Sequence, residues 1–283
     1  MRKPRLKPRE ATWHHIIVRA AGGPKDRLFG NKERKALRKI LKAHTVYYTV
    51  KLIAFNLLSN HMHVVLQDPE PDISDEEVCQ RHARYYPNRK RLQPGTPECQ
   101  AVREKITNMS NFMQAVLPAF TRWYNETRPD GRQGTLWASR FKNLIMEDGM
   151  AVLEGLIYVE NNAVRAGIVK KAEEYPHCSY GAWAIEGVHP YEEEVVSTLL
   201  PLMREVLRIG TLEELREGIA ARLEARQGQR ERAWSDGKVI GSEAFVRGVM
   251  HRERGIDPQS GRELARVGDG DLCCWQHRRA AKA

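Results

Sequence analysis

Two apolar stretches separated by three residues constrain the fold most: Val46 to Leu57 and His61 to Leu66, joined by Leu58-Ser59-Asn60. A connection that short leaves no room for a crossover, so two strands on either side of it lie next to each other and antiparallel. Side chains alternate along a strand, which sends His61 and His63 to one face and Met62 to the other. Two imidazoles on one face are a metal-ligand pair lacking a third group, although His-x-His also arises where one histidine is packed and the other exposed.

The third group is found about a hundred residues later, in Leu156-Ile157-Tyr158-Val159-Glu160-Asn161-Asn162-Ala163-Val164-Arg165-Ala166-Gly167-Ile168-Val169. On a helix Tyr158 and Asn162 stand at i and i+4 and share a face. That face can present a phenol as nucleophile and an amide oxygen as a metal ligand. Taken alone, Tyr158 reads equally as a packed core tyrosine with a satisfied hydroxyl, and Asn162 as a cap at the helix end.

Together the two stretches resemble the HUH single-tyrosine transposases of insertion sequences, most closely the REP-associated tyrosine transposases. Those carry Asn-His-x-His on a central strand and Tyr-Ile-x-x-Asn-Pro-Val-x-x-Gly on a helix leaving the sheet. The matching residues are Asn60, His61, His63, Tyr158, Asn162, Val164 and Gly167, with Ala163 in place of the proline. Two further fragments fit: Gly134-Thr135-Leu136-Trp137-Ala138-Ser139-Arg140-Phe141, and Tyr175-Pro176-His177-Cys178-Ser179-Tyr180. The resemblance covers about residues 11 to 185, and the ordered combination is more specific than any one piece. It implies an α+β fold with a ferredoxin-like, split βαβ antiparallel sheet carrying the histidine pair centrally. It also implies metal-dependent cleavage and strand transfer of single-stranded DNA bearing a hairpin, through a 5′-phosphotyrosine on Tyr158. His61, His63 and Asn162 would hold the divalent ion. Two imidazoles and an amide suit manganese on ligand softness, cellular abundance favours magnesium, and the resemblance allows either. A homodimer is compatible with it.

In chain order, residues 1–10 form a basic arm with Arg2, Lys3, Arg5, Lys7 and Arg9 among prolines. Trp13 to Arg19 reads as the first strand, and Asn31 is expected to cap a helix over Lys32 to His44. His14 and His15 are adjacent and point to opposite faces, so they do not replace the His61/His63 pair. Strand, helix, strand, strand, helix, strand, helix gives a split βαβ sheet with helices expected on one face. Residues 68–97 form a polar, basic insertion. Its Arg81, Arg84, Arg89, Lys90 and Arg91, interleaved with Tyr85 and Tyr86, suit a single strand by charge and stacking; a solvated insertion explains them equally well. One helix is expected over Glu98 to Asn125, a strand over Thr135 to Met146, and a helix capped by Asp148 that carries Tyr158. Arg140, Lys142, Arg165, Lys170 and Lys171 flank the site and are candidate phosphate contacts, with ordinary surface charge as the alternative. The transposase domain thus spans 11–185. Residues 186–283 read as a helical accessory region: helices over Pro190 to Ile209, Thr211 to Gln227 and Ser242 to Arg254, with Gln227 to Gly241 linker-like.

The formal charge of +10 suits a polyanionic partner because it is clustered. Five cysteines, an odd number without finger spacing, argue against disulfides or a zinc site. No apolar run is long enough for a membrane span and no signal core is evident, so a cytoplasmic protein is expected. A DNA hairpin-binding protein without turnover, and another HUH endonuclease such as a replication initiator or relaxase, are the competing functions. The absence of a Walker-type loop disfavours the latter.

Overall fold

The computed structural model describes residues 12–23, 26–68, 72–129, 131–261, 263–268 and 270–276. The basic arm lies outside the described residues.

Four strands make the heart of the sheet: β1 (Thr12–Arg19), β2 (Lys51–Leu57), β3 (His61–Asp68) and β4 (Lys142–Met146). Their order is β2-β3-β1-β4, with β3 antiparallel to both β2 and β1, and β4 antiparallel to β1. This is the α+β, ferredoxin-like split βαβ arrangement expected from the sequence. The short connection Leu58 to Asn60 joins β2 and β3 as neighbours, and the helix α1 (Asn31–Thr45) crosses from β1 to β2. The strand expected from Val46 starts only at Lys51, because α1 runs to Thr45 and residues 46–50 turn the chain. Gly30, not Asn31, occupies the cap position of α1, and its backbone N–H donates to the Glu33 carboxylate.

The insertion is partly helical: α2 (Asp75–Tyr85) is capped by Ser74. The single helix expected over Glu98 to Asn125 is two, α3 (Pro97–Ile106) and α4 (Met109–Glu126). Thr107 ends the first, and the Asn108 side chain accepts from Asn111 N–H to start the second, so a side-chain cap competes with a continuous helix. β4 is shorter than expected because residues 135–141 meet the sheet only through the bridge Ala20↔Trp137.

Helices cover both faces of the sheet, where one covered face was expected. Strands β2 and β3 are buried on both faces, so each face has a cover. On the face of Ile16, Met62 and Val64, α1 and α4 bury Leu37, Leu41, Phe112 and Phe120. On the face of Trp13, Val65 and Leu144 lies α5 (Met150–Glu160), the tyrosine helix. Asp148 does not cap it; Gly149 stands at the cap with φ 81°, a conformation open to glycine. After α5 follow α6 (Asn162–Arg165) and α7 (Ser179–Glu186).

Beyond residue 185 come α8 (Glu192–Glu194), a π-turn, α9 (Leu200–Leu207) and α10 (Leu212–Ala225). Thr211 caps α10. The linker-like stretch instead holds α11 (Ala233–Asp236) and β5 (Gly237–Gly241). Ser242 caps α12 (Glu243–Arg254), which is followed by β6 (Ala265–Arg266) and β7 (Cys273–Gln276). β5 joins β4 in parallel, Ile145 opposite Val239, and the sheet continues β5-β7-β6 to seven strands. Trp234, Ile240, Val267 and Cys274 from this region share one core with Tyr158 and Leu156.

Candidate active site

The period-two alternation of β3 places His61, His63 and Val65 on the α5 face and Met62, Val64 and Leu66 on the other. The ring centroids of His61 and His63 are 5.2 Å apart, and that of His63 is 6.3 Å from the Tyr158 ring. Strand β1 adds a third imidazole. Ile17 pairs with His63, so His15 lies diagonally across on the same face, and its Nε2 is 2.8 Å from His63 Nδ1. His15 also stands 5.9 Å, centroid to centroid, from Tyr158. The sequence places His14 and His15 on opposite faces, as observed; His14 turns away and meets the Asn143 Oδ1 at 3.1 Å. Which of the two would meet His63 depended on the β1–β3 register, for which the sequence carried no signal.

These histidines favour the neutral state. Burial pulls His15 down to about 3 and His61 to about 4, with help from the charges of Arg165 and Arg19 respectively. Burial, then neighbouring His15, His61 and Arg165, hold His63 well below its usual range. A neutral imidazole is the form that binds a metal ion. His61 Nδ1 is 2.7 Å from the Asn60 Oδ1 and His63 Nδ1 is engaged by His15, which leaves Nε2 of each ring as the donor for an ion. Among the described residues no group of three or more His, Cys, Asp or Glu side chains is placed to hold a metal ion.

Asn162 is one turn beyond Tyr158 as expected, and buried. Its amide N–H donates to the Val159 carbonyl at 3.1 Å, so it does cap the end of α5. Its Oδ1 accepts from the Arg165 guanidinium at 2.7 Å. Arg165 also donates to the Tyr158 carbonyl and lies 3.9 Å from the centroid of the Tyr158 ring. The Asn162 oxygen is thus engaged by the Arg165 guanidinium beside Tyr158. Tyr158 is 9% exposed, and its hydroxyl is 2.9 Å from Ser235 Oγ.

Asn56 was missed by sequence reasoning. It lies directly opposite His63 on β2, and its amide donates to the Val159 and Glu160 carbonyls at 2.9 and 3.1 Å. It thus ties β2, the neighbour of the histidine strand, to the end of the tyrosine helix.

The basic residues divide between the two faces. Lys142 reaches the Ser235 carbonyl at 3.1 Å and Asp236 at 3.5 Å. Arg140, Lys170 and Lys171 are exposed, and Lys171 lies 3.8 Å from Glu173. Arg84, Arg89, Lys90 and Arg91 are exposed at and after the end of α2, whose packing belongs to the opposite face. Tyr85 is stacked 4.8 Å from Tyr47 with its hydroxyl 3.2 Å from His44 Nε2, so it anchors this insertion to the core and its stacked face is taken.

The sheet is part of an α+β fold, and its His-x-His strand faces a helix-borne tyrosine, the arrangement that the resemblance to the HUH single-tyrosine transposases implies. No family model matches the chain. A curated Haemophilus influenzae protein, named as a REP-associated tyrosine transposase, is 22% identical over 143 residues, covering 50% of this chain and 66% of that protein. The similarity to the REP-associated type read from the motifs is thereby borne out. A solved structure of a REP-associated tyrosine transposase bound to a REP hairpin is 14% identical and covers 68% of this chain and 90% of its own, with a TM-score of 0.45. Among the described residues no helix is long and apolar enough to cross a membrane.

Proposed function

We propose that the protein is a single-tyrosine transposase that cuts and rejoins single-stranded DNA beside a hairpin. The observation that carries this reading is the convergence of Tyr158 and the His61/His63 pair, about a hundred residues apart in sequence, on one face of the sheet. The Tyr158 oxygen forms a bond to the scissile phosphorus as the bond to the 3′-oxygen breaks. The phenolic proton is passed to solvent and the leaving 3′-oxygen takes one up. The phosphotyrosine keeps the bond energy, and the free 3′-hydroxyl can reverse the step without ATP. A divalent ion, magnesium or manganese, held by His61, His63 and Asn162, would supply polarisation of the phosphate and charge stabilisation in the transition state. Arg165 beside Tyr158 offers a fixed cation where a phosphate arrives.

His15 sets the tautomer this needs. If His63 is to offer Nε2 to an ion, its proton sits on Nδ1 and is donated to His15 Nε2. His15 then carries its own proton on Nδ1, a buried atom without a partner in the structure.

The test is incubation with hairpin-flanked single strands and manganese, followed by a denaturing gel. Wild type should form a covalent adduct, and Tyr158→Phe should form none while keeping DNA affinity. An adduct of normal yield in Tyr158→Phe would reassign the nucleophile.

A second reading, hairpin binding without turnover, draws on the engaged state of the site: Tyr158 is nearly buried, its hydroxyl is bonded to Ser235, and Asn162 Oδ1 is bonded to Arg165. Tight hairpin binding by wild type with no adduct under any metal would favour it.

A further inference from the structure

The short segment between α10 and β5 makes contacts with Tyr158 that neither the motifs nor the resemblance assigns. Trp234 is stacked 5.8 Å from the Tyr158 ring, at 26° between planes. Ser235 Oγ lies 2.9 Å from the phenolic oxygen. The segment is held where it is. Trp234 is buried and donates through Nε1 to the Glu231 carboxylate at 3.1 Å. Lys142, at the start of β4, reaches both the Ser235 carbonyl and the Asp236 carboxylate. Immediately afterwards the chain enters β5 and pairs with β4. Ser235 is therefore presented to Tyr158 by the sheet itself.

We propose that Ser235 is a positioning residue for the Tyr158 hydroxyl, so that the C-terminal region completes the active site. This rests on the reading of Tyr158 as nucleophile. A phenol has one proton to donate and lone pairs to attack with. When it donates to Ser235 Oγ, its hydrogen is directed away and the lone pairs stay free for phosphorus. Trp234 stacked on the ring, with Arg165 also over it at 3.9 Å, restricts ring rotation, and the Ser235 contact fixes the hydroxyl torsion. Holding a nucleophile in one orientation removes an entropic part of the barrier, and a misplacement of about 1 Å is enough to cost rate.

The experiment compares wild type, Ser235→Ala and Ser235→Thr in two measurements on the full chain. In single-turnover adduct formation with a hairpin-flanked single strand and manganese, Ser235→Ala should lower the rate at saturating DNA about tenfold while leaving the half-saturating DNA concentration unchanged. Ser235→Thr, which keeps the hydroxyl, should restore the rate. In the NMR spectrum of protein labelled with 13C at the tyrosine ring carbon bearing the hydroxyl, the Tyr158 signal, identified by its loss in Tyr158→Phe, should move in Ser235→Ala and stay in place in Ser235→Thr. An unmoved signal overturns the proposal whatever the activity. An unchanged or faster rate in Ser235→Ala also overturns it, the faster rate showing that Ser235 shields the tyrosine. A wild type that forms no adduct overturns the nucleophile reading instead, and the NMR comparison then still decides whether Ser235 holds the phenol.

Discussion

At the scale of single residues, the proposed metal site assigns a role to His15: with its Nε2 2.8 Å from His63 Nδ1, it would accept the His63 proton and leave His63 Nε2 for the ion. Replacing it with Ala should weaken manganese binding about 10- to 100-fold, as loss of an outer-shell partner does. Titration followed by the EPR signal of free manganese checks this, and an unchanged affinity would remove His15 from the site. Asn162→Asp should tighten manganese and Asn162→Ala should raise the metal needed for cleavage. If both changes only lower thermal stability, Asn162 serves as a cap alone. On the other face of β1, burial pulls His14 down to about 4, only partly offset by its bond to Asn143. The folded pKa is below the unfolded value of 6.5, so this contribution is present above pH 6.5 and is lost as pH falls towards 4. His14 alone should account for on the order of 3 kcal/mol across that window. Asp68 and Glu160, pushed up to about 7 by burial, act in the opposite sense, losing stability as pH rises through 7. Urea unfolding at pH 7.5 and pH 5 should therefore show a smaller acid-induced loss in His14→Gln than in wild type; equal losses would contradict the burial argument.

At the scale of elements, α5 is buried on every side, against the sheet below and α10 and α11 around it. Such a helix places Tyr158 only as well as its neighbours place the helix. Its C-terminal end is gripped by the Asn56 amide from β2 and by Asn161, which donates to the Leu223 carbonyl of α10. Its middle is set by Gly155, where an added Cβ would lie 2.5 Å from Met146 Sδ and 3.0 Å from Trp234 Cζ3. Gly155→Ala must displace the Met146 thioether, the Trp234 ring or α5 itself. The expected cost is about 1–3 kcal/mol of stability, the usual range for overpacking. Denaturant midpoints measure it, and an unaffected midpoint would mean that the neighbours yield freely.

At the scale of the whole molecule, the C-terminal region and the histidine strand belong to one sheet and one core. A chain ending at residue 230 would lose Trp234, Ile240 and Cys274 and bare the edge of β4. It should keep much of its far-UV circular dichroism but lose the near-UV signal and cooperative unfolding. A cooperative transition in that truncated chain would show that the four-strand unit stands alone. The charge is also distributed at this scale: Arg84, Arg89, Lys90 and Arg91 occupy the side of the sheet opposite Tyr158. If they touch the hairpin phosphates, changing Arg89, Lys90 and Arg91 to Ser should flatten the slope of log affinity against log salt by about 2 to 3. No change in slope would mean that this insertion is merely solvated.

What the sequence determined by itself was local or periodic. The three-residue link forced β2 and β3 together, and alternation put His61 and His63 on one face whatever covered it, because the strand period does not depend on the partner. Helical spacing likewise put Asn162 one turn beyond Tyr158, and Thr211 and Ser242 announced their helices through their own side-chain bonds. The tertiary structure decided what no local pattern encodes. The β1–β3 register brought His15 to His63, and Asn56 came to grip the tyrosine helix from another strand. The linker-like residues before Gly241 became a parallel strand because β4 offered an open edge, and that pairing, with the Lys142 and Glu231 contacts, delivered Trp234 and Ser235 to Tyr158. Each of these contacts joins residues tens to more than a hundred positions apart, and only the packing of the whole sheet selects among the registers that the local sequence leaves equal.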